Sequence, residues 1–135
     1  MEAIDEIKHN GILLAIIVRK NFNKGGINFI SKENFPLQVG INFYKKGEEI
    51  KPHFHPKRKI EIKDIQEFVM VEKGKMTVTI YTESGKKVRT TELVGGDMIF
   101  LIEGGHGFKI DADTKLSEVK QGPYMGKEVD KKMIE

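Results

Sequence analysis

Apolar and polar or small residues alternate one for one along Leu37-Gln38-Val39-Gly40-Ile41-Asn42-Phe43, and again along Met76-Thr77-Val78-Thr79-Ile80-Tyr81. In an extended chain a period of two puts every second side chain on the same face, so each segment predicts a strand with one face on a core. Thr77 and Thr79, being β-branched, suit the solvent side of such a strand. Further short strands are expected at residues 66–71, 88–94, 98–102, 106–110 and 116–119, and the apolar run from Ile12 to Val18 reads as a buried strand. Between them lie turn residues: Lys46-Gly47, Lys73-Gly74-Lys75, Glu83-Ser84-Gly85-Lys86, Gly95-Gly96-Asp97 and Gly104-Gly105. Many short strands at this spacing predict an all-β, antiparallel sandwich or barrel. Helix is expected only as short pieces at residues 2–8 and 127–134. With no repeat, linker or low-complexity tract, the 135 residues form a single domain, residues 1–135, with its core over about 37–120.

Composition narrows the function. Hydrophobic residues at 39% and charged residues at 32% describe a folded chain rather than a disordered one. Cysteine is absent, so disulfides and thiolate ligands are excluded, and any metal site must use imidazole and carboxylate. The net charge of +3, from 23 basic and 20 acidic residues, is too small and too mixed to argue for a nucleic-acid partner. The run at residues 12–18 falls far short of the roughly 20 residues of a membrane span. It is preceded by Glu2, Asp5 and Glu6 instead of the basic start of a signal peptide. The expectation is a cytoplasmic protein with a small-molecule ligand and no nucleic-acid or membrane partner.

His53 and His55 stand two apart between Pro52 and Pro56. The prolines bias the segment away from helix, and in an extended chain this spacing puts both imidazoles on one side, close enough to share an ion. Glu67 shares a face with Val69 and Val71, and a carboxylate directed at a core needs a compensating partner, of which a cation is one. His106 shares a face with Phe108 and Ile110. Each of these placements alone suits a hydrogen-bonded core histidine or a solvated strand end. Together they place three of the four histidines, with one carboxylate, where a single divalent ion (Mn, Fe, Ni, Co or Zn) would need them. His9 carries no such signal.

Gly47-x5-His53-x-His55 followed by Glu67-x6-Gly74 resembles the first motif of the cupins. Gly96-Asp97, the apolar stretch to Ile102, and Glu103-Gly104-Gly105-His106 resemble the second. The resemblance covers about residues 37–110. It implies a double-stranded β-helix, the antiparallel jelly-roll barrel, with a metal held by His53, His55, Glu67 and His106. The chain departs from the pattern in the eleven residues 56–66 that separate His55 from Glu67, in Ile102 where proline is common, and in His106 falling one residue early. A one-residue slip reverses a strand's faces, and Gly104-Gly105 can absorb it in a bulge.

Four ligands leave open positions on a six-coordinate ion, where a substrate or water binds. The resemblance therefore implies a metal-dependent enzyme, an oxygenase or an isomerase or epimerase. The ending Val119-Lys120-Gln121-Gly122-Pro123-Tyr124 is similar to small cupins of surface-polysaccharide and sugar-nucleotide synthesis, pointing to a sugar-type or anionic substrate. A non-catalytic, metal-dependent ligand-binding or regulatory module is the alternative. No His–Asp or His–Tyr pair for metal-free acid–base work is evident. Phe108 is expected to wall the pocket. Lys57 and Arg58 form either a basic lip for an anion or a solvated hairpin edge. Tyr124 belongs to a tail that either folds over the mouth or packs on a subunit edge. A two-fold homodimer is expected, with the strand at residues 12–18 as its contact.

Overall fold

The computed structural model describes residues 3–134. It contains eight strands: β1 Ile4–His9, β2 Ile12–Val18, β3 Glu67–Lys73, β4 Lys75–Tyr81, β5 Lys87–Val94, β6 Met98–Leu101, β7 Gly105–Ile110 and β8 Lys115–Lys120. They form a five-stranded sheet in the order β1-β2-β6-β3-β8 and a three-stranded sheet in the order β5-β4-β7. Every pairing is antiparallel. The sheets face each other across one core, to which the larger gives Ile7, Leu14, Ile17, Val69, Val71, Ile99 and Leu101, and the smaller Met76, Val78, Ile80 and Leu93. The alternation in β4 is realised: Met76, Val78 and Ile80 are buried, while Thr77 and Thr79 face outward. The sheets are not closed into a barrel; each ends in free edges, β1 and β8 on the larger and β5 and β7 on the smaller. Among the described residues no helix is long and apolar enough to cross a membrane.

A second core lies on the outer face of the five-stranded sheet. Ile16, Val18, Phe100 and Ile102 are covered there by Val39 and by Phe22, Ile30, Phe35, Leu37 and Ile41 from residues 20–43. This layer explains why Ile4 and Ile7, three apart, occupy a strand and not the helical piece expected at residues 2–8. Three is an odd offset, so the two side chains leave the strand on opposite faces. Ile7 enters the inner core and Ile4 the outer one. Residue 2 of that expected helix lies outside the described residues. The overlooked signal is Asn10-Gly11, which turns β1 into β2 with φ of 50° and 78°, the left-handed pair that a two-residue hairpin needs. The expected C-terminal helix is reduced to one turn, α1 Lys127–Asp130.

The strand expected at residues 37–43 keeps its facing but not its ladder. Val39 is buried and Gln38 and Gly40 are exposed, yet only isolated bridges, Gly26 to Phe43 and Phe29 to Gly40, join it to residues 26–29. Side chains take over ladder positions. Asn42 Oδ1 accepts from the Asn28 amide at 2.9 Å, Asn28 Nδ2 donates to the Ile41 carbonyl at 3.1 Å, and Ser31 Oγ accepts from the Val39 amide at 2.9 Å. The strand at residues 12–18, expected as a dimer contact, is not a sheet edge. That strand lies between β1 and β6, and residues 14–18 are buried within the chain itself.

Candidate metal centre

Glu67 opens β3 and His106 is the second residue of β7, so the two come from opposite sheets at the same end of the sandwich. His106 Nε2 lies 3.4 Å from Glu67 Oε2. The carboxylate is the more enclosed, its side chain 15% exposed against 34% for the imidazole. His106 chiefly holds the Glu67 carboxyl below the usual carboxylate range. Burial pushes it up, and the fields of Lys120 and Lys131 add a further lowering.

His106 takes the face of its partner Ile80 of β4, the side of the inner core, in an unbroken register. The bulge that Gly104-Gly105 could have formed is not present, and the residue stays largely exposed at the rim. Gly104 has φ of 76°, and a side chain there would strike the Tyr81 carbonyl; one at residue 105 would strike Ile134. The His106 ring lies 5.3 Å from that of Phe108, which packs on the inner core beside it. The tail crosses the same end. The chain turns at Gly122-Pro123, a cis peptide bond, and Lys120 Nζ lies 3.6 Å from Asp130 and 5.8 Å from the Tyr124 ring. Tyr124 itself is exposed, so it does not seal the site.

His53 and His55 are placed elsewhere. Residues 43–65 are exposed throughout, and residues 44–65 pair with no strand. The two imidazoles share one side of this arm, with ring centroids 5.1 Å apart, and His53 Nδ1 lies 2.7 Å from the Lys51 carbonyl. Lys57 and Arg58 are exposed on the same arm, where Arg58 lines a pocket with His55 and Pro56. Among the described residues no three His, Asp or Glu side chains stand close enough to hold an ion. The four expected ligands thus form two pairs, Glu67 with His106 and His53 with His55. As arranged they do not fit one metal ion.

Asp97, read from the sequence as part of a motif, has a structural task. It is buried, accepts from the amides of Lys20 and Val94 at 2.9 Å each, and meets Arg19 Nη1 at 3.3 Å. Arg19 in turn donates to the Glu92 carbonyl at 2.7 Å and to Thr91 Oγ1 at 3.2 Å. The group pins the end of β2 to the turn between β5 and β6.

No family model, no curated protein and no solved structure matches the chain significantly.

Proposed function

We propose that this antiparallel β-sandwich is a metal-binding protein of the cupin jelly-roll type, in which residues 44–65 fold inward and bring His53 and His55 to Glu67 and His106. The observation that carries the reading is the meeting of Glu67 and His106, an oxygen and a nitrogen donor from opposite sheets at one partly enclosed end. Two features favour closure of the arm. It exposes Tyr44, Ile50, Phe54, Ile60, Ile62 and Ile65, and burying apolar surface is favourable, by about 1.5–3 kcal/mol for a side chain as exposed as Phe54 at 97%. In addition β7, which carries His106, has a free edge with unpaired backbone groups, the natural place for an added strand. In the closed form His53, His55, Glu67 and His106 would hold the ion, which would supply positive charge for a small anionic or sugar-type substrate. Lys57 and Arg58 travel with the arm and add to that attraction.

The same pair supports a second reading. A carboxylate held against an imidazole is itself an acid–base unit, in which Glu67 orients His106. In that case the protein isomerises or epimerises its substrate without metal. A calorimetric screen of carboxylates, sugar phosphates and nucleotide-sugars, with and without Mn, Fe, Ni, Co or Zn, separates the readings. Binding that requires metal supports the first, and equal binding by the apoprotein supports the second. Metal-dependent binding with no conversion, in air or under anaerobic conditions, makes the protein a ligand-binding module.

A further inference from the structure

Residues 121–134 run from one sheet to the other across the end where Glu67 and His106 meet. The segment leaves β8 at Lys120, the cross-strand partner of Glu67. It carries Ile134 to Gly105, the residue before His106, and to Gly85 in the turn between β4 and β5. A Cβ at residue 105 would strike Ile134 Cδ1, yet the backbone there is not in the left-handed region and does not itself call for glycine. Gly105 is thus a notch that Ile134 fills. Lys120 Nζ forms a second catch with Asp130 at 3.6 Å, and Asp130 also accepts from the Met125 amide at 3.3 Å. Lys131 follows, near enough to Glu67 to add to His106 and Lys120 in holding its carboxyl low. The attachment is light. Among the described residues the main-chain bonds of this segment close on itself, Val129 and Asp130 on Gly126 and Lys131 on Lys127, and none joins residues 122–134 to a sheet. Ile134 remains 42% exposed. A segment held by one part-exposed ion pair and one half-buried side chain belongs to the least stable part of a fold, from which movable lids are drawn.

We propose that residues 121–134 form a strap that opens and shuts over the Glu67–His106 pair, with Ile134 in the Gly105 notch and Asp130 on Lys120 as its two catches. This regulation of access rests on the reading of that pair as a functional site. Shut, the strap narrows the approach to the pair and brings the Lys131 ammonium towards an enclosed carboxylate that needs a positive partner. Open, it leaves the carboxylate and the imidazole to an incoming small molecule, and reclosure keeps bulk water away. Salt loosens the strap, because it screens the Lys120–Asp130 pair.

Carbethoxylation of the histidines in the full chain, followed peptide by peptide by mass spectrometry, tests this. At about pH 8, above the ordinary imidazole range, the rate at each ring reads its access. In the wild-type chain His106 should react more slowly than His55. Gly105→Ala, which fills the notch, Ile134→Asp and Asp130→Ala should each raise the rate at His106 about threefold or more, and leave His9, His53 and His55 unchanged. Added salt should speed His106 in the wild-type chain and act less in Asp130→Ala. Ile134 and Asp130 belong to neither core, so their variants keep the test valid even if Gly105→Ala disturbs β7. A wild-type His106 as reactive as His55 overturns the strap, as does a rate at His106 that moves in neither Ile134→Asp nor Asp130→Ala. The labelling involves neither metal nor substrate, so a responsive His106 upholds the strap even where the function proposed for the pair fails its own test.

Discussion

Glu67 and His106 approach to 3.4 Å although one belongs to the five-stranded sheet and the other to the three-stranded sheet. The pair spans the sandwich at its open end, where water reaches the imidazole and screens the attraction. Its contribution to folding is therefore small. Glu67→Gln should change the free energy of unfolding in urea by less than about 1 kcal/mol, the range of partly exposed ion pairs. A loss of about 3 kcal/mol or more would make the pair a structural bridge and remove the main support for a functional site there.

Asp97 presents the opposite case. Its carboxylate is enclosed, faces Arg19, and accepts from two backbone amides. Asp97→Ala should cost about 3–5 kcal/mol, because a buried guanidinium is left without its counter-charge. Asp97→Asn, which keeps an acceptor oxygen, should cost less. Equal small losses in both variants would show that the turn between β5 and β6 does not depend on this group.

Acid should expose two further carboxylates. Asp5 is held below its ordinary value of 3.8, chiefly by its hydrogen bond to Arg89, and Glu67 below 4.5, chiefly by His106. A lowered folded value means that the unfolded chain binds more protons in acid, so stability rises with pH across that range. The contribution is complete above the ordinary values and disappears as pH falls through the folded ones. Urea midpoints should decline below about pH 4.5. Asp5→Asn should flatten the lower part of the decline, modestly, since this pair is part-exposed. An unchanged slope in that variant would contradict the assignment.

Seven of the eight strands were legible because each carries its own period or apolar run, and turn glycines separate them. Ile4–His9 was not, because it is apolar on both faces and so lacks a strand's alternation. The Glu67–His106 meeting was legible from facing alone. Phe68 looks to the outer core while Glu67, Val69 and Val71 look inward, and His106 shares its face with Phe108 in unbroken register with Ile80. The position of His53 and His55 was not legible. Spacing within a segment fixes which side the two rings share, and nothing in residues 56–66 fixes where that segment docks. The outer core over residues 20–43 escaped for a related reason: Asn28, Ser31 and Asn42 replace ladder bonds by side-chain bonds that leave no period.

Metal content measured by elemental analysis, on protein made without a histidine tag and loaded with each candidate ion in turn, tests the central reading most directly. Closure of the arm predicts one ion per chain in the wild-type protein. That ion should be lost alike in His53→Ala, His55→Ala, Glu67→Gln and His106→Ala, with the circular dichroism of the sandwich preserved, because donors from both pairs hold it. An ion that survives Glu67→Gln and His106→Ala, or a wild-type protein that retains none, would contradict it.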